Sequence, residues 1–237
     1  MIKGTKQMEN LITVSHINKI FYTAGKEFQA LKDINLTISQ GELVILKGRS
    51  GSGKTTLLNL LSALDTPTSG EVSFQGKLLH RMSEGEKENL RRRAFGFVFQ
   101  AVSLYPSMTA YQNVEFAMLM AGMRKGTQPR IEECLKAVGL GGRMKHMPAE
   151  MSGGEQQRVA IARAMAHHPK VIFADEPTAE LDSAMAAEVT RMFYELTRRE
   201  QVTVIMTTHD AGLMDAGDRI IELESGQQVF RENNGDV

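Results

Sequence analysis

Gly48-Arg49-Ser50-Gly51-Ser52-Gly53-Lys54-Thr55 follows the apolar run Val44-Ile45-Leu46 and leads into a helical pattern over Thr55 to Leu64. The octet matches G-x-x-x-x-G-K-[ST] in full, in the strand, loop and helix setting that gives the pattern its meaning. Its glycines let the backbone curl so that N–H groups face a phosphate, and the helix behind adds the positive end of its dipole. Lys54 supplies a point charge for the β- and γ-phosphates, and Thr55 offers a hydroxyl to Mg²⁺. Thr56, the next residue, is counted with the octet as nucleotide-binding.

Two more apolar runs resemble the one before the octet. They are Val171-Ile172-Phe173-Ala174, ending in Asp175 and Glu176, and Val202-Thr203-Val204-Ile205-Met206, ending in Thr207-Thr208-His209. Runs this short and branched fit strands buried on both faces of a parallel sheet. Ligands of such sheets collect beyond the carboxyl ends of the strands, so Lys54, the two acids and His209 are expected at one site. Asp175 is placed to hold Mg²⁺, and Glu176 to face an attacking water as general base.

The segments Ile12 to Ile17, Ile34 to Ile38 and Glu71 to Phe74 alternate as strands of an antiparallel side sheet. Helical spacing recurs over Tyr111 to Ala121, Pro129 to Val138, the stretch after Ser152, and Ser183 to Arg199. The fold class expected is α/β: a P-loop NTPase core with a mostly parallel sheet, an N-terminal antiparallel β subdomain and an inserted α-helical subdomain. Residues 8–237 form one domain, with 8–100 and 151–237 as the nucleotide-binding core and 101–150 as the helical insertion; residues 1–7 form a tail. The insertion is rich in methionine, which suits a surface that accepts a partner helix and equally suits core filling.

Lys plus Arg equals Asp plus Glu at 28 each, so no overall field draws this chain to nucleic acid or anionic lipid. The single cysteine, Cys134, cannot form an internal disulfide and reads as a small buried hydrophobe. The six histidines show no zinc-ligand spacing. No apolar stretch reaches the ~20 residues of a membrane-crossing helix, so membrane contact is expected through another protein only.

Met151-Ser152-Gly153-Gly154-Glu155-Gln156-Gln157-Arg158 narrows the reading. It resembles the signature peptide of ABC ATPases, usually L-S-G-G-Q. Gln100 after Phe97-Val98-Phe99 looks like that family's Q-loop, Ala179-Glu180-Leu181-Asp182 its D-loop, and His209 its switch histidine. The likeness covers nearly the whole chain. Independently of it, Ser152 and Glu155 have the spacing of a capping box that opens a helix. Gly153 and Gly154 let bare N–H groups approach an anion there. Glu155 stands where the family has Gln; bonding back to the N-cap N–H keeps its carboxylate off the phosphate.

The resemblance implies that the chain hydrolyses ATP with Mg²⁺ as a head-to-tail homodimer. Each ATP then lies between one copy's Lys54 loop and the other's Ser152-Gly153-Gly154, with Asp182 nearby. It implies that Gln100 touches Mg²⁺, that His209 contacts the γ-phosphate, and that Phe21 or Tyr22 stacks on adenine, core packing being the alternative for the ring. Glu180, where relatives often carry Asn, puts the D-loop geometry in question. Arg91-Arg92-Arg93 and Ala174-Asp175-Glu176-Pro177-Thr178 are similar to the lipoprotein-release and macrolide-export (MacB-like) branch. Members of that branch pair with separate or fused transmembrane permeases, and here a separate one is expected, with this chain peripheral at the cytoplasmic face of the inner membrane, driving export or alternatively moving a partner mechanically without cargo.

Overall fold

The structure, a computed structural model, describes residues 10–23, 25–179, 181–209 and 217–229. The expected tail 1–7 and Glu180 lie outside these residues. The elements run β1 (Asn10–Thr23), β2 (Lys26–Ser39), β3 (Leu43–Lys47), α1 (Lys54–Leu61), β4 (Ser69–Phe74), β5 (Lys77–Leu78), α2 (Glu84–Ala94) and β6 (Phe95–Val98). They continue with α3 (Ala110–Met120), α4 (Gln128–Ala137), α5 (Gly153–Met165), β7 (Val171–Ala174), α6 (Ser183–Glu200), β8 (Thr203–Thr208), β9 (Arg219–Glu224) and β10 (Gln227–Val229).

The larger sheet has the order β10-β9-β3-β8-β7-β6, parallel except for the β9–β10 hairpin. Its strands alternate between two cores. Leu43, Ile45, Ile172, Ala174, Val204 and Met206 face the helical side with α3 to α6, whereas Val44, Leu46, Val171, Phe173 and Ile205 face α1 and the smaller sheet. Both faces are dry, which is why these strands read as unbroken apolar runs. Each fully buried Leu, Ile or Val contributes about 1.5–3 kcal/mol.

The smaller sheet, β2-β1-β4-β5, is antiparallel. Phe74 on β4 meets Phe95 on β6 edge to face at 5.0 Å, and Phe95 meets Phe173 on β7 at 5.1 Å, so an aromatic chain joins the two sheets. The fold class agrees with the sequence reading.

Methionine in 101–150 divides between core and surface. Met118 is buried, Met123 and Met144 pack against the core, and Met120 and Met147 stand at the surface. Cys134 is fully buried, and burial pushes its thiol up to about 12. At pH 8 only ~10⁻⁴ of it is thiolate, the reactive form. Iodoacetamide is therefore expected to label the native chain at least about 100-fold more slowly than the urea-unfolded chain; equal rates would refute a closed α4 packing.

Candidate functional site

Gly53 caps α1 with φ 102 and no side-chain bond, and no acid occupies the first turn. A Cβ there would sit 2.7 Å from the Ala30 carbonyl oxygen, so the loop closes only with glycine. The helix thus presents uncapped N–H groups and an uncompensated dipole. Ser52 Oγ in the same loop is buried without a hydrogen-bond partner among the described residues, as a loop built to hold an anion allows. Arg49 and Ser50 are exposed along its rim, and Thr56 is half-buried in the first turn of α1.

Lys54 is only 5% exposed, and its Nζ donates to the Gly48 oxygen at 2.8 Å and the Arg49 oxygen at 3.2 Å. It also lies 3.7 Å from Glu176 Oε1, while Glu176 Oε2 lies 3.6 Å from His209 Nδ1. Three strand ends therefore bring a lysine, a carboxylate and an imidazole together, as their place in the sheet led one to expect. Asp175 Oδ1 accepts from Thr55 Oγ1 at 3.1 Å. A carboxylate beside a hydroxyl is a hard oxygen pair that fits Mg²⁺, which takes few protein ligands and completes its shell with water and phosphate. Among the described residues no group of three or more His, Cys, Asp or Glu could hold a metal by itself.

Thr207 organises the turn beyond β7 and was not singled out by the sequence. Its Oγ1 donates to Asp175 Oδ1 at 2.8 Å and accepts from the Glu176 N–H at 2.7 Å. The two bonds hold Glu176 at φ 44, a left-handed conformation that non-glycine residues seldom take. Gln157, buried in α5, donates from Nε2 to the Pro177 oxygen at 2.8 Å and so ties the signature helix to the residue after Glu176. Both side chains are buried and bonded to partners 20 or more residues away, and nothing local in the sequence marked them.

Gln100 follows β6, whose Val98 pairs with Ala174, so it stands one row from the Asp175 turn, exposed. Ser152 accepts from the Glu155 N–H at 3.2 Å, and Glu155 Oε2 accepts from the Ser152 N–H at 2.9 Å. The expected capping box is present, and Arg143 Nε lies 3.3 Å from the other Glu155 oxygen. The Ser152 N–H bond, followed by the Arg143 charge, holds the Glu155 carboxyl below its ordinary range. Gly153 has open space where a Cβ would stand, but Gly154 is buried against Met185 and Leu181. The end of the flexible Met185 side chain occupies the place a Cβ would take, so the missing side chain also lets α6 pack closely here.

Asp182 caps α6, accepting from the Met185 N–H at 2.9 Å. Phe21 and Tyr22 are 38% and 70% exposed on the β1–β2 hairpin, and Lys19 Nζ sits 4.9 Å from the Phe21 ring centroid. Within one chain, no hydrogen bond of Ser152 or Glu155 among the described residues reaches the Lys54 cluster.

Residues 31–179 match the family model described as ABC transporter. An ABC transporter ATP-binding protein of Methanocaldococcus jannaschii is 44% identical over 220 residues, 92% of this chain and 98% of that one. The macrolide export ATP-binding/permease protein MacB of Wolinella succinogenes is 41% identical over 223 residues, 94% of this chain but 34% of that one. A dimeric ATP-binding cassette solved in a post-hydrolysis state with ADP and Pi superposes with a TM-score of 0.85 at 38% identity, over 93% of this chain and 97% of that one.

Proposed function

Because this chain belongs to the ABC transporter family as an ATP-binding subunit, we propose that two copies close head to tail around two ATP molecules and drive a separate membrane-spanning permease. The single observation that carries this reading is the Glu176 carboxylate set between Lys54 and His209, beside the Asp175–Thr55 oxygen pair.

The loop N–H groups and the α1 dipole bind the β-phosphate. Lys54 exchanges the carbonyl oxygens of Gly48 and Arg49 for oxygens of the β- and γ-phosphates. Thr55 and Asp175, with Gln100 alongside, would hold Mg²⁺, which when bound would supply charge neutralisation on the phosphate oxygens. Glu176 takes the proton of the water that attacks the γ-phosphorus, ADP departs, and His209 hydrogen-bonds the transferred group. Phe21 offers a face to adenine. The second copy closes the site with Ser152 and Gly153, and Asp182 lies at that junction. Among the described residues, no helix is long and apolar enough to cross a membrane. In this reading the permease is a separate partner, and this chain sits at the cytoplasmic face of the inner membrane. Export-type relatives, one named for macrolides and one for syringafactin, favour cargo export over force transmission alone.

A groove of about 520 Å³ suits the permease contact. Phe99, Tyr105 and Met120 stand exposed along it, and Arg163 lines its wall. The contact is thus shared between 101–150, β6 and α5. Met120→Glu is expected to reduce co-purification of the membrane protein at least about tenfold, a loss of roughly 1.4 kcal/mol at one buried contact. Its ATP affinity should stay within about twofold. Undiminished co-purification would place the contact elsewhere.

A further inference from the structure

Arg130 on α4 uses every donor it has. Nε donates to the Ala166 oxygen at 3.3 Å, and Nη2 to the Met165 oxygen at 3.0 Å and Glu200 Oε2 at 2.6 Å. Nη1 donates to Glu200 Oε1 and Glu133 Oε2, each at 3.1 Å. A guanidinium has five N–H groups, so none is left over. Exposed ion pairs contribute little, but the Arg130 side chain is 10% exposed and that of Glu200 26%. The fork on Glu200 is bidentate, a geometry that lysine cannot reproduce.

The partners are the C-terminal ends of two other helices: Met165 and Ala166 close α5, and Glu200 closes α6. Positive charge at the carbonyl end of α5 also complements its dipole. At their opposite ends these helices carry Ser152 and Asp182. With 13 residues α5 is about 20 Å long. A tilt of about 10° at the Arg130 end would move the Ser152 end by about 3 Å, the full length of a hydrogen bond. A cavity of about 210 Å³ lined by Val138, Met165, Met192 and Leu196 lies beside this junction and leaves room for such a tilt.

We propose that Arg130 is a positioning residue for ATP hydrolysis: it clamps the C-termini of α5 and α6 together so that Ser152 and Asp182 meet the nucleotide held by the Lys54 loop of a second copy. This rests on the composite-site reading above. Arg130 itself touches neither nucleotide nor attacking water.

The test uses full-length Arg130→Lys, with turnover and ATP binding measured separately. Turnover is expected to fall ~10- to 100-fold, the scale of an ångström-level misplacement, while ATP affinity of the single chain stays within about twofold. Mixing Arg130→Lys with Lys54→Ala should restore turnover. One site of that mixed dimer joins an intact Lys54 loop to an undistorted α5. The reference is a mixture of Ser152→Arg with Lys54→Ala, which restores turnover if sites are shared between copies at all. Recovery to the reference level supports the clamp. No recovery while the reference recovers, or unchanged turnover in Arg130→Lys alone, overturns it. A reference mixture that stays inactive sinks the composite-site reading instead, and the clamp with it. If Arg130→Lys does not fold, Glu200→Gln, which keeps its size and one acceptor oxygen, carries the same comparison.

Discussion

A Lys54→Ala chain is expected to bind ATP about 100- to 1,000-fold more weakly than the wild type by calorimetry, while its thermal midpoint moves little. The ammonium is held 5% exposed against two carbonyl oxygens of its own loop, so it is aimed before any phosphate arrives. Hydrogen bonds to a charged group contribute about 1.5–3 kcal/mol each, so two of them on the β- and γ-phosphates amount to about 3–6 kcal/mol; the two carbonyl bonds that Lys54 gives up in exchange keep the net at the lower end, about 3–4 kcal/mol, which is the stated range. Folding depends far less on it, because truncation also removes a desolvated charge from a loop whose closure rests on glycines. Unchanged affinity would contradict the phosphate role.

Glu176→Gln is expected to lower turnover ~10²- to 10⁴-fold with ATP binding retained. The amide keeps the size and the bonded backbone N–H, so the Thr207 bridge and the left-handed turn persist. What it loses is the ability to accept a proton. A substituted enzyme that still hydrolyses ATP within threefold of wild-type turnover would mean that another group serves as base.

The sequence made β3, β7 and β8 legible because burial on both faces leaves them continuously apolar. Other elements lack that signature. In β9, Arg219, Glu222 and Glu224 interrupt the apolar residues, and α2 buries only Lys87, so no apolar stripe marks it. The P-loop and the acidic pair were readable since each lies within consecutive residues. Thr207, Gln157 and Arg130 were not, because their bonds span 20 to 70 residues and exist only in the folded chain. Glu155 falls between: its cap spacing is local and was read, whereas neutralisation by Arg143 is tertiary.

The central claim is that neither copy is complete alone, and the mass of Glu176→Gln tests it most directly. Gel filtration with light scattering should give a 26.3 kDa monomer without nucleotide and twice that mass with Mg-ATP, since ATP joins two halves and hydrolysis cannot release them. Adding Ser152→Arg should return the mass to one chain with ATP still bound. A Glu176→Gln protein saturated with Mg-ATP that remains a monomer at every concentration would contradict the shared site.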